Sequence, residues 1–300
     1  MYAPIALFVY KRLNHTKRTL KALQKNTLAQ ESELFVYSDG WKNEEDREKV
    51  EEIRNYLKTI SGFKHLEIIK KEKNEGLANS IIAGVTDIVN KYGKVIVLED
   101  DLVSSPYFLQ FMNDALNLYE NEERVASVHG YVYPIKGTLP DTFFLKHTSS
   151  WGWGTWKRAW ELFEPDGKKL MQILEQKKLI NELNINGTYN FVGMLRRQIA
   201  GITNSWAIRW DASCLIHNKL NLYPNKSLIK NIGQDGTGEH RGNSNKHDVI
   251  LYDSPIKVER IQIIAMPDIM KTFERFFRSL KPSFTKRIKW KLQKIMGKSK

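Results

Sequence analysis

Three acids in a row, Glu99-Asp100-Asp101, follow directly on the apolar run Val95-Ile96-Val97-Leu98. Adjacent carboxylates at the end of a buried strand repel one another and lose hydration, which is costly unless a cation or hydrogen-bond donors offset it. A hard divalent ion, Mn²⁺ or Mg²⁺, does this, and it takes carboxylate and phosphate oxygens together. The plainer role is to favour the N-terminus of a helix opening near Ser104 to Tyr107, where Ser105-Pro106 supplies a serine cap and a first-turn proline. One acid suffices for that role, and three are surplus.

Strand-like and helix-like segments alternate along the first hundred residues. Pro4 to Tyr10 is a short apolar run, Thr16 to Lys25 sets Leu20 and Leu23 on one helical face, and Leu34 to Tyr37 is a second strand. A charged helix over about Asn43 to Ile60, a strand over Leu66 to Ile69 and a helix over about Gly76 to Lys91 precede the run that ends in the acids. Four strands joined by helical crossovers predict a largely parallel sheet covered on both faces. Such sheets bind ligands at the carboxyl ends of their strands. Lys11 and Arg12 stand at the first of those ends, Asp39 at the second, Asn74 and Glu75 at the third and Glu99-Asp100-Asp101 at the fourth. Basic, amide and acidic groups gathered on one rim are the layout of a nucleotide site with a metal. Singly, each has an ordinary use: Asp39 before Gly40 is a common turn pair, and Arg12 suits a surface charge.

The 300 residues, 41% hydrophobic, 11% aromatic and 27% charged, describe a globular chain and exclude disordered, collagenous and disulfide-scaffold classes. Cys214 is the only cysteine, so thiolate zinc cages are excluded and a reducing compartment is expected. No stretch approaches the roughly 18 to 20 apolar residues of a membrane span. The apolar start reads as a buried strand rather than a signal peptide, which predicts a cytoplasmic protein. Of 47 Lys/Arg and 34 Asp/Glu, residues 271–300 hold eleven of the former and one of the latter, Glu274, leaving 36 against 33 over residues 1–270. A nearly neutral body lacks the field that phosphate-backbone binders use, so no nucleic-acid partner is expected.

The second half is less regular, with strands predicted at Arg124 to Val128 and Thr142 to His147 and helices at about Lys168 to Ile180 and Trp206 to Asn218. The expected division is residues 1–101 for a nucleotide-sugar-binding subdomain, 102–270 for an acceptor-binding one and 271–300 for a basic amphipathic tail. In the tail, Phe273, Phe276, Phe277 and Leu280 recur at helical spacing, as do Phe284, Ile288, Leu292 and Ile295 after Pro282. A basic helix of this kind suits an anionic bilayer surface; packing on the body and RNA binding are the alternatives.

The segment VIVLEDDLVSSP, Val95 to Pro106, resembles the metal-binding strand end of the GT-A glycosyltransferases, in the version of the N-acetylglucosaminyltransferase I family and related bacterial sugar transferases. Tyr10-Lys11-Arg12 with Leu20, and Ser38-Asp39-Gly40, agree in order, and the likeness covers about residues 3 to 240. It implies a GT-A-like, Rossmann-related α/β fold with a mostly parallel sheet flanked by helices and an irregular acceptor-binding second half. It implies metal-dependent, inverting transfer of a hexosyl or N-acetylhexosaminyl group from a UDP-linked donor to a glycan acceptor, and a membrane-attached tail would bring a lipid-linked glycan within reach. The setting would be bacterial surface polysaccharide synthesis at the inner face of the cell membrane. Carried over, Asp101 is the metal ligand, Glu99 and Asp100 hold the ribose and sugar side, Asp39 and Arg12 bind the uracil and diphosphate region, and Asn74 is a further nucleotide contact. Nucleotidyl transfer onto a sugar phosphate uses similar carboxylates, yet it expects a glycine- and lysine-rich loop that Lys11-Arg12-Leu13-Asn14 lacks. A non-enzymatic membrane or nucleic-acid binder acting through the basic tail is the other alternative.

Trp151-Gly152-Trp153-Gly154-Thr155-Trp156 resembles the family's glycine- and aromatic-rich loop, with Trp151 and Trp153 as acceptor-binding faces and Trp156 and Trp160 as core. Where the family places its base, Asn204-Ser205-Trp206 carries no acid, so either Asp211 is the catalytic residue or the mechanism departs from the family pattern; for Asp211 the alternative is a helix-surface acid paired with Arg209 or Lys219. The glycine-rich stretch Asn231 to His240 reads as a lid, with His240 reaching the metal or the diphosphate. A solvent histidine beside Arg241 is its alternative.

Overall fold

The computed structural model describes residues 1–236 and 246–281. Its first strands are β1 (Ile5–Val9), β2 (Glu33–Ser38), β3 (His65–Lys70) and β4 (Lys94–Glu99), parallel and side by side in the order β3-β2-β1-β4. Helices α1 (Leu13–Gln24), α2 (Glu44–Leu57) and α3 (Leu77–Tyr92) connect them. β1 is buried along its whole length because its apolar side chains meet helices or neighbouring strands on both faces, whereas β3, at the sheet edge, is only half-covered.

The second half extends the same sheet. It contributes β5 (Leu102–Ser104), α4 (Phe108–Leu118), β6 (Val125–His129), β7 (Thr142–Leu145), β8 (Trp153–Trp156) and α5 (Lys157–Trp160). There follow α6 (Gly167–Gln176), α7 (Ile180–Leu183), α8 (Phe191–Ile199), α9 (Trp206–Ile216), β9 (Leu220–Pro224), β10 (Ile229–Asn231) and α10 (Pro267–Leu280). The eight-stranded order is β3-β2-β1-β4-β8-β6-β9-β7, with β8 and β7 running against the rest. The result is the expected α/β architecture, a mostly parallel sheet flanked by helices.

Two expectations need correction. The tryptophan stretch predicted as a loop supplies β8, wedged between β4 and β6, so the sheet runs unbroken across residue 101. Gly154 permits this, because a Cβ there would stand 2.9 Å from the Val95 carbonyl oxygen. The helix after the acids begins at Phe108 rather than near Ser105, since Leu102–Ser104 is drawn into an antiparallel ribbon with β10.

The start of the expected tail is also docked. α10 buries Ile269, Phe273 and Phe277 on the body, with Phe273 6.4 Å from the Phe143 ring and Phe277 5.3 Å from Tyr189. Its apolar face therefore meets the aromatic surface left by β7, β9 and their loops instead of a bilayer. Phe284, Ile288, Leu292 and Ile295 lie outside the described residues. Among the described residues no helix is long and apolar enough to cross a membrane.

Candidate functional site

Since β1, β2, β3, β4, β6 and β9 all run one way, their carboxyl ends share a rim, and the groups singled out above stand along it. Glu99 ends β4, half-buried and in register with Phe8 of β1. Asp100 and Asp101 form the turn into β5. Arg12 reaches them from the end of β1: its Nη2 donates to a carboxylate oxygen of both acids, 2.8 Å from Asp101 Oδ2, and its Nε donates to Asp100 Oδ2 at 3.3 Å. The backbone of the turn is anchored separately. Thr19 Oγ1 of α1 donates to the Asp100 carbonyl at 2.8 Å, and the Ile232 amide donates to the Asp101 carbonyl at 2.9 Å.

Both acids are buried, Asp100 at 5% and Asp101 at 9% exposure. Burial pushes the Asp100 carboxyl up to about 6, with the Arg12 guanidinium pulling the other way. Burial likewise works against the Arg12 cation, but Asp100 and Asp101 outweigh it and hold its pKa above the ordinary value. Among the described residues no three His, Cys, Asp or Glu side chains come close enough to hold a metal ion by themselves. Two hard carboxylates alone fit a divalent cation that brings further oxygens with it, as a diphosphate-bound Mg²⁺ or Mn²⁺ does.

Asp39, at the end of β2, is held differently. Its Oδ1 accepts from the Gly40 and Glu75 amides, both at 2.9 Å, and its Oδ2 from the Gly76 amide at 2.9 Å and Asn74 Nδ2 at 3.0 Å. Four donors fill the roughly four lone-pair sites of a carboxylate. Asn74 spends its other amide hydrogen on the Gly40 carbonyl, 2.8 Å away. Apart from any nucleotide, the two side chains bind each other and knit the β2 and β3 ends together. Gly40 completes the joint, since a Cβ there would collide with the Lys73 backbone.

Two supporting groups escaped the sequence reading. Arg54 of α2, 6% exposed, donates to Ser38 Oγ at 3.2 Å and to the carbonyls of Lys71 and Asp39 at 2.7 and 3.3 Å. Its signal was available, because Arg54 shares the helical face of Val50 and Leu57, where a charge needs partners. Asp46 accepts from Tyr10 Oη at 2.8 Å and Lys11 Nζ at 2.7 Å, which ties the end of β1 to the start of α2. Burial first, then Asp46, pushes the Tyr10 phenol up to about 12, and the Lys11 bond holds the Asp46 carboxyl below its ordinary range.

The first residues of the expected lid lie on the acid pair. A Cβ at Gly233 would collide with Asp101 Oδ2, and Asp235 Oδ2 stands 3.1 Å from His15 Nε2. His240 lies outside the described residues. Trp151 is half-buried near the same rim, its ring 4.6 Å from Tyr131 and 5.9 Å from His247. The turn beside it is fixed by Gly152, whose φ is +61° and whose Cβ would stand 2.5 Å from Ile229 Cγ1.

Trp153 and Asp211 are placed elsewhere than expected. Trp153 is fully buried and stacks on Trp206 at 5.2 Å, within a cluster that includes Trp160 and Trp210, so its indole packs the core instead of facing a ligand. Asp211 is 5% exposed and accepts from the Thr148 amide at 2.7 Å, with His147 Nδ1 at 3.1 Å. It is not a surface acid paired with Arg209 or Lys219: its bonds lock α9 to the end of β7. Arg209 instead bonds Asn204 Oδ1 at 2.9 Å, and Lys219 the Glu123 carbonyl at 2.6 Å.

No family model matches the chain, and no curated protein matches it. Solved structures are similar at low identity. S. aureus TarS 1-349 is 11% identical at a TM-score of 0.42, over 77% of this chain and 61% of that one. TarS 1-349 in complex with UDP is 14% identical at 0.31, over 46% and 38%. The mannosyltransferase PcManGT from Pyrobaculum calidifontis in complex with GDP-Man and Mn²⁺ is 12% identical at 0.32, over 43% and 36%. The chain spans less than two thirds of the length of each of these structures.

Proposed function

We propose that the chain is a divalent-metal-dependent glycosyltransferase using a nucleotide diphosphate sugar, UDP-linked as the resemblance implies. The observation that carries this reading is the meeting of Arg12, Asp100 and Asp101 at the carboxyl ends of β1 and β4, under the 231–236 segment. Asp101 and Asp100 would hold Mn²⁺ or Mg²⁺, which when bound supplies charge to offset the departing diphosphate. Arg12 adds a fixed positive charge with a planar fork suited to phosphate oxygens. Asp39, Asn74 and Arg54 shape the floor on the nucleoside side by fixing the backbone at Gly40 and Gly76, and Glu99 faces the donor's ribose and sugar. Trp151 offers a half-exposed indole to an acceptor sugar ring.

The finer assignment follows the resemblance: inverting transfer of a hexosyl or N-acetylhexosaminyl group to a glycan or lipid-linked glycan of a bacterial surface polysaccharide. With its apolar face docked, α10 leaves Lys271, Arg275 and Arg278 exposed, charges that suit an anionic inner-membrane surface. The test is calorimetric binding of UDP with and without Mn²⁺. Wild-type protein binds UDP more tightly with Mn²⁺, and Asp101→Asn loses that gain; a variant that keeps the full Mn²⁺-dependent gain refutes the reading.

A further inference from the structure

The two acids that this reading assigns to a cation already hold one. Arg12 Nη2 is bonded to Asp100 and Asp101 together, on oxygens that a metal would use. We propose that Arg12 and the divalent cation are rivals for the Asp100–Asp101 pair. In the free protein Arg12 holds the acids; when a metal arrives with a diphosphate, the guanidinium leaves them and binds the phosphate. The proposal deepens the glycosyltransferase reading and rests on it.

The anchoring identifies the partner that moves. The acids are pinned through their backbones, by Thr19 at the Asp100 carbonyl and Ile232 at the Asp101 carbonyl. Among the described residues the Arg12 side chain hydrogen-bonds nothing but these carboxylates. Its stem leaves a backbone that is not yet helical, at φ −106° and ψ 74°, and 19% of the side chain is exposed. Gly233, with no side chain, is the residue facing both Asp101 Oδ2 and Arg12 Nη1. A guanidinium stays protonated throughout the ordinary pH range, so it yields the acids only by moving. One cation against two carboxylates also leaves the pair negative, and hence still attractive to a divalent ion. Because linkage is reciprocal, whatever Arg12 subtracts from binding of metal alone returns as cooperativity between metal and diphosphate.

The experiment measures Mn²⁺ binding to the full chain by electron paramagnetic resonance, alone and with UDP, for wild type, Arg12→Gln and Arg12→Lys. Arg12→Gln is expected to bind Mn²⁺ alone tighter by on the order of ten-fold, and UDP should then strengthen metal binding less than in wild type. Mn²⁺ alone should raise the melting temperature of Arg12→Gln more than that of wild type. Arg12→Lys, which keeps the charge but loses the fork, should lie between the two and serves if the glutamine variant folds poorly. Cooperative binding in wild type with unchanged or weaker affinity for Mn²⁺ alone in the folded variants overturns the rivalry while leaving the site reading intact. Absence of any Mn²⁺–UDP cooperativity in wild type overturns both.

Discussion

Two acid centres stand on one rim of the sheet, and they are satisfied in opposite ways. Asp39 takes three backbone amides and one carboxamide, every donor fixed by a turn. Asp100 and Asp101 share the tip of one long side chain. A carboxylate whose lone pairs are filled by immobile donors is a scaffold, since removing it strands buried amides. A carboxylate held by a single guanidinium at the end of a long side chain has no fixed backbone donor to strand. The buried acid of the other half, Asp211, belongs with Asp39: a backbone amide and a packed imidazole hold it.

The largest expected effect tests the scaffold side. Asp39→Asn turns an NH₂ toward buried amide donors and should cost about 3 kcal/mol in urea denaturation, while Asp101→Asn costs less than about 1 kcal/mol. Equal losses would erase the distinction between the two centres. Next, Arg54→Gln strips donors from the Asp39 and Lys71 carbonyls and should cost roughly 2 kcal/mol, again read by urea denaturation. A variant as stable as wild type would show that the joint holds without it.

Gly233→Ala sharpens the other side. Its methyl would press on Asp101 Oδ2, so Mn²⁺-dependent UDP affinity should fall about ten-fold, or about 1.4 kcal/mol, with the melting temperature little changed. An unfolded variant would move Gly233 to the scaffold. The smallest effect concerns His147. Burial disfavours its imidazolium, but Asp211 at 3.1 Å outweighs this and raises its pKa above the ordinary histidine value. A raised folded-state pKa contributes stability that is fully present below the unfolded value, about 6.5, and is lost as pH rises through the folded value. Stability titrations should show this decline in wild type and a flatter profile in His147→Gln.

Much of the fold was legible because apolar runs and helical spacing report burial locally. The four strands ending in β4, helices α1 to α3 and the acids at the β4 terminus follow from neighbouring residues alone. β8 was not legible: Trp153-Gly154-Thr155-Trp156 reads as a loop until β4 and β6 are placed on either side of it. The helical period of α10 could be read from Phe273 and Phe277, but its partner could not, since membrane and aromatic cluster are both apolar.

Order along the chain thus settled which segments are buried and which polar groups stand at strand ends, because covering an apolar face depends on the spacing of adjacent side chains. Tertiary structure alone decided what each polar group does there. Arg12 finds Asp100 across 88 positions, and Asp39 finds the Gly76 amide across 37. Hydrogen bonds and ion pairs act over a few ångströms of space, so only the folded chain distinguishes the acid that braces a turn from the acids held by one guanidinium.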